Sequence, residues 1–125
     1  MPIRNTTKAF DAPAYYHVYN RGVAGLPIFR DDADRVKFIA LLARHLDPAD
    51  TAKKTDGSTY EKYDVDLVAY CLMDNHFHLL VFQETDPEAM TKLTRSVSTA
   101  YAMYFNHRYR QNGHLFQSVL RRLAF

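Results

Sequence analysis

Aromatic and β-branched side chains crowd residues 15–20, and Arg21-Gly22 closes the run, so this segment is predicted to be a strand. The period then changes. After Asp31 and Asp32, either of which can cap a helix, Val36, Ile39, Ala43 and Leu46 recur at helical spacing, with Phe38 and Leu42 widening the stripe. Asp47-Pro48 stops it, and residues 48–63 are polar, with Lys53-Lys54 and Asp56-Gly57-Ser58 marking a surface loop. Residues 65–72 and 76–82 are predicted to form an antiparallel pair, because the Met73-Asp74-Asn75 between them suits a tight hairpin. Asp86-Pro87-Glu88 is a helix start: Asp caps free amides, Pro is pre-set for the first helical position, and Glu favours the positive end of the dipole. The stripe of that long helix is Met90, Leu93, Val97, Ala100, Tyr101 and Tyr104, and Gly113 suits a left-handed end. Residues 115–120 complete the pattern as a last strand.

Strand, helix, strand, strand, helix, strand describes one α+β domain over residues 1–125, a ferredoxin-like antiparallel sheet with helices on one face. Residues 79–82 are apolar on both faces of their strand, so the second face is expected to be covered at least in part. Composition adds little to this picture. Seventeen aromatic residues, nine Tyr and eight Phe, suit base stacking and core packing alike. A net charge of only +2 gives weak support for a nucleic-acid partner, so attraction must come from clustering. Such a cluster exists in Arg95, His107, Arg108, Arg110, His114, Arg121 and Arg122. Cys71 is the single cysteine, which excludes an internal disulfide and a four-cysteine zinc ribbon and fits the reducing cytoplasm. Apolar runs such as residues 79–82 are far too short to span a bilayer, and no apolar stretch follows the basic residues of the N-terminus. Neither membrane insertion nor secretion is expected.

The candidate chemistry lies in His76-Phe77-His78. A strand repeats every two residues, so both imidazoles point to one face, about 7 Å apart along the chain, and can converge on one cation. Imidazole of borderline softness admits manganese, zinc or magnesium where carboxylate or amide ligands are added, and open positions leave room for a phosphate oxygen to be polarised. An isolated His-x-His is more often two alternating, hydrogen-bonded strand residues, so the surrounding sequence has to decide.

That surrounding sequence is informative. Tyr16-His17-Val18-Tyr19-Asn20-Arg21-Gly22, then Ile28-Phe29 with Asp31-Asp32, then Met73-Asp74-Asn75-His76-Phe77-His78-Leu79-Leu80-Val81, then Tyr104-Phe105-Asn106 and Gly113-His114-Leu115-Phe116-Gln117 occur in this order. With these segments the chain resembles the REP-associated tyrosine transposases within the wider single-tyrosine, IS200-like (HUH) transposases. The resemblance implies a ferredoxin-like sheet, a two-histidine metal site on a central strand at His76 and His78, and magnesium or manganese as the cofactor. It also implies a tyrosine that attacks single-stranded or hairpin DNA and leaves a 5′-phosphotyrosine link. No membrane and no small-molecule cofactor are implied.

One part of the pattern is missing. The family's nucleophile sits downstream in a Tyr-Ile-His-Leu-Asn-Pro-like stretch whose Asn is available as a third ligand, whereas the 47 residues after His78 contain no such stretch, and Ser118-Val119-Leu120 replaces the usual Arg-Tyr or Arg-Phe. The C-terminus therefore reads as short. Three accounts stay open: Tyr101 or Tyr104 has taken over the chemistry, a helix from another chain in a homodimer supplies it, or the chain binds a DNA hairpin without cutting it. Both tyrosines fall on the apolar stripe, which favours packing.

The remaining candidates each carry a plainer alternative. Asn20 and Arg21 can approach a phosphate at a strand end, or merely close a turn. Arg108, Arg110, His114 and Gln117 suit a hairpin's phosphates and base edges, or a solvated helix end. Of Tyr15, Tyr16 and Tyr19, alternation sends at least one into the core. His17 and Cys71 are expected to pack rather than ligate. An unrelated domain with an accidental His-x-His is the third function class, and the several matching segments disfavour it.

Overall fold

The computed structural model describes residues 12–117 and the backbone of residues 121–124. Three long strands follow the sequence pattern closely: β1 is Ala14–Arg21, β2 is Val65–Met73 and β3 is His76–Gln83. A short fourth strand, β4, is Arg121–Ala124. The sheet order is β2-β3-β1-β4, and every pairing is antiparallel. A register shift between Leu67 and Ala69 marks a bulge in the edge strand β2. Helices α1, Asp32–Leu46, and α2, Ala89–Tyr109, lie on one face of this sheet, as the ferredoxin-like order requires.

Strand alternation decides what meets the helices. Tyr16 and Val18 of β1 and Phe77, Leu79 and Val81 of β3 are buried with Phe38, Leu41 and Leu42 of α1 and Met90, Leu93, Val97, Tyr101 and Phe105 of α2. Each such aliphatic or aromatic side chain contributes about 1.5–3 kcal/mol on full burial, so this one cluster docks both helices. Among the described residues no helix is long and apolar enough to cross a membrane.

Four details differ from the sequence pattern. On α1 the buried positions are Asp34, Phe38, Leu41, Leu42 and His45, and Val36 is exposed, so the true stripe is rotated from the expected one. A buried carboxylate at Asp34 is invisible to hydrophobic periodicity. At the start of α2, Asp86 accepts a hydrogen bond from the Glu88 amide at 2.8 Å and so caps the turn ahead of the helix. The amide of Met90 is instead satisfied by Gln83 Oε1 at 2.8 Å, a buried side chain from the end of β3. At the other end of α2 the left-handed cap is Arg110, with its amide on the Asn106 carbonyl, and Gly113, also at positive φ, turns the loop three residues later. Finally, residues 115–117 form no strand: Phe116 makes an isolated bridge to Gly22, and the last strand comes later, at β4. Residues 118–120, part of the expected strand, lie outside the described residues.

Candidate metal and nucleic-acid site

Because Phe77, Leu79, Val81 and Gln83 point into the core, His76, His78, Leu80 and Phe82 point to the opposite face of β3. Directly across on β1, Arg21 pairs with His76, Tyr19 with His78, His17 with Leu80 and Tyr15 with Phe82. Paired residues share a face, so the two central strands present one surface of histidine, tyrosine and arginine away from the helices. Tyr16 is the one of the three tyrosines sent into the core, while Tyr15 is exposed and Tyr19 half-buried. Among the described residues both helices lie on the other side, and Leu80 and Phe82 remain half-buried rather than covered.

The histidines form a contiguous group. His76 and His78 meet edge to face with ring centroids 5.0 Å apart. His78 stacks on His17 at 4.9 Å, and its Nδ1 is 2.8 Å from His17 Nε2. Tyr19 also stacks on His17 at 4.8 Å and lies 6.1 Å from His78, so the three rings form one cluster. His17 was expected to pack rather than ligate; its odd position on β1 places it on the open face, packed beside His78. Nothing local could have shown this, since the partner ring comes from 61 residues away. Cys71, also expected to pack, is exposed and pairs with His78 across the hairpin.

His76 Nδ1 is 2.8 Å from Asn75 Oδ1, so both strand histidines have Nδ1 in a hydrogen bond. Burial, followed by the neighbouring His17 and His76, lowers the pKa of His78 below the ordinary imidazole value, which favours the neutral ring that a cation needs. A cleft of about 570 Å³ is lined by Tyr19, Asn20, Arg21, Asn75, His76, Phe77 and His78. Among the described residues no group of three or more His, Cys, Asp or Glu is arranged to hold a metal. His76 and His78 are the neighbouring imidazoles of this cleft, and borderline-soft nitrogen donors of this kind need added oxygen donors to complete a coordination sphere.

The hairpin that carries His76 is anchored from β1. The Gly22 amide donates to the Asn75 carbonyl at 2.9 Å, and the amides of Ile28 and Phe29 donate to the Asp74 carbonyl at 2.8 and 3.0 Å. Gly22 is needed for this close approach, since a Cβ there would lie 2.0 Å from the Leu26 carbonyl oxygen. Arg21, one residue earlier, is exposed at the cleft rim. Its Nε donates to Gln117 Oε1, and its carbonyl accepts from the Gln117 amide at 2.8 Å. Asn20 is buried, with Oδ1 accepting from the Arg21 amide at 2.9 Å.

Of the nine site residues expected from sequence, the structure brings His76, His78, Asn20, Arg21 and Gln117 together. The other four lie elsewhere. Tyr101, the expected nucleophile, is completely buried, its hydroxyl donates to the Ile28 carbonyl, and burial raises its pKa far above the ordinary phenol value. It faces the helix side of the sheet, so it is corrected to a core residue. Arg108 is also not a free cation: Nη1 lies 2.6 Å from Asp34 Oδ1 and Nη2 2.8 Å from Asp31 Oδ2, tying α2 to the start of α1. Arg110 and His114 are exposed at the end of α2 and in the following loop, where they line two grooves separate from the histidine cleft.

An antiparallel ferredoxin-like sheet with a paired-histidine motif on a central strand defines a class, the HUH-type DNA-processing domains. The sequence model of the family described as Transposase IS200 like matches residues 47–120, more than half of the chain. The protein belongs to the IS200-like transposase family. Its fold is similar to that of a REP-associated tyrosine transposase solved bound to a REP hairpin, with a TM-score of 0.60 and 11% identity over 98% of this chain. This chain spans 62% of that structure's length. A putative transposase from Deinococcus radiodurans R1 is similar over 94% of this chain and 82% of its own, with a TM-score of 0.59 and 13% identity. At these identities the likeness establishes the fold. No curated protein matches the chain.

Proposed function

We propose that residues 1–125 act as one domain on single-stranded or hairpin DNA in metal-assisted strand cleavage and joining, in the cytoplasm. The observation that carries this reading is the convergence of His76 and His78, each with Nδ1 already engaged, in a cleft that also holds Arg21. Metal dependence is typical of the family, and the two imidazoles fit a divalent cation that keeps open positions, manganese more readily than magnesium. When bound, such a cation polarises a phosphate oxygen. Arg21 at the rim supplies a fixed positive charge and planar donors for a neighbouring phosphate. Tyr15 and Tyr19 on the same open face offer rings on which unpaired bases stack.

Cleavage requires a tyrosine hydroxyl to attack phosphorus: an O–P bond forms, the bond to the 3′ oxygen breaks, and that oxygen leaves with a proton. Tyr101 does not serve, because its hydroxyl is in the core on the wrong face. We assign the attacking tyrosine to a helix contributed by another chain that carries the stretch missing here, seated on the open face beside the half-buried Leu80 and Phe82. A hairpin-binding module without turnover is the second reading, favoured by the burial of Tyr101.

The experiment is to incubate the protein with manganese and a hairpin carrying a 5′ single-stranded flank, with gel-shift and denaturing-gel readouts. Flanked hairpin should bind better than plain duplex of equal length, and His76→Ala/His78→Ala should abolish manganese uptake measured by calorimetry while the fold persists. A preference for plain duplex rejects the function. A covalent adduct selects the enzyme over the binding module.

A further inference from the structure

We propose that Asn75 and His17 are positioning residues that set the ring tautomers of His76 and His78, so that both rings present an Nε2 lone pair to the cleft. This rests on the metal reading above. A neutral imidazole carries one N–H and one lone pair, and the hydrogen bond at one nitrogen decides which of the two the other offers. The two histidines meet this requirement from different elements.

For His76 the partner is the residue before it in the hairpin. Asn75 Oδ1 lies 2.8 Å from His76 Nδ1, and an amide oxygen only accepts, so the proton is on Nδ1. The orientation of the amide is supported by its other end, where Nδ2 donates to the Gly25 carbonyl at 3.4 Å. The turn itself is held by the bond from the Gly22 amide to the Asn75 carbonyl. For His78 the partner is His17 on the neighbouring strand, with Nε2 2.8 Å from Nδ1. Only one proton fits between two such nitrogens, and when His17 accepts it, Nε2 of His78 carries the lone pair. Stacking of His17 against both His78 and Tyr19 keeps that ring in place. Asn75 thus imposes the tautomer of His76, and His17 matches it at His78. An unconstrained histidine side chain in water favours the opposite, Nε2–H form, so the arrangement is distinguishable from a default.

The test uses the full, metal-free chain with ¹⁵N-labelled histidine, and reads tautomers from two-bond proton–nitrogen NMR spectra at about pH 8, where histidine is neutral. His76 and His78 should both appear as Nδ1–H forms. Asn75→Ala should return His76 to the Nε2–H form and weaken manganese binding by about 10- to 100-fold, the usual effect of losing such a partner. Asn75→Asp, whose carboxylate also accepts, should keep the tautomer and most of the affinity, and His17→Phe should change His78 and spare His76. An Nε2–H form of His76 in the unsubstituted protein overturns the proposal whatever the metal does. Nδ1–H rings with no manganese uptake overturn the metal reading instead and leave the tautomer assignment standing.

Discussion

Arg108 in the last turn of α2 reaches Asp34 in the first turn of α1, with Nη1 2.6 Å from Oδ1. Asp34 is fully buried, and its carboxylate also accepts from the Arg30 amide at 2.9 Å and from the hydroxyls of Tyr104 and Tyr109 at 2.7 and 2.6 Å. Burial opposes its ionisation, yet the hydrogen bonds from Tyr109, the Arg30 amide, Tyr104 and Arg108 outweigh it and hold its pKa below the ordinary carboxylate value. Removal of the carboxylate in Asp34→Ala takes the acceptor from the Arg30 amide and the Tyr104 and Tyr109 hydroxyls, leaves Arg108 with the Asp31 carboxylate, and should cost about 3 kcal/mol in denaturant unfolding.

The same group gives a pH dependence of known sign. A depressed folded pKa means that the contribution of Asp34 is complete above the unfolded value of about 3.9 and is lost as pH falls through the lower folded value. Thermal melts should therefore drop on the acid side of about pH 4 in the unsubstituted protein, and Asp34→Asn should melt lower at neutral pH with a flatter acid limb.

Arginine substitutions should separate structure from DNA contact. Arg21→Ala should weaken binding to a flanked hairpin and flatten the plot of log affinity against log salt by about one, the share of a single phosphate contact. Arg108→Ala should lower the melting temperature while leaving that salt slope unchanged. A slope altered by Arg108→Ala and not by Arg21→Ala would place the DNA on the helix side.

Tyr101→Phe removes the hydroxyl that donates to the Ile28 carbonyl and leaves the ring in the core. Stability should fall by about 1–3 kcal/mol, and any covalent adduct on a denaturing gel should persist at its original level. Loss of an adduct in a folded Tyr101→Phe protein contradicts the assignment of this residue to the core.

Gly22→Ala tests the anchoring of the hairpin. The added Cβ collides with the Leu26 backbone at 2.0 Å, so the chain must shift and strain the amide bond to the Asn75 carbonyl. A loss of about 1–3 kcal/mol is expected, together with weaker manganese binding, because the turn that holds Asn75 moves with it.

Strand and helix order were legible in the sequence because period two and period 3.6 are local properties: β1, β2, β3, α1 and α2 all stand where alternation and helical spacing put them. The shared face of His76 and His78 follows from the same alternation and needed no partner to read. What surrounds them depended on pairing between distant segments. Register places His17 diagonal to His78 and Arg21 opposite His76, the bridge of Gly22 to Phe116 brings Gln117 to Arg21, and no pattern within a single segment carries such pairings. The polar core was hidden for a related reason. Asp34 breaks the expected stripe of α1, and Tyr101 and Arg108 looked available as chemistry on the next helix. Only the packing of α2 against α1 and the segment before it turns those three side chains into hydrogen-bonded structure, because a buried polar group is tolerated where partners from another element satisfy it.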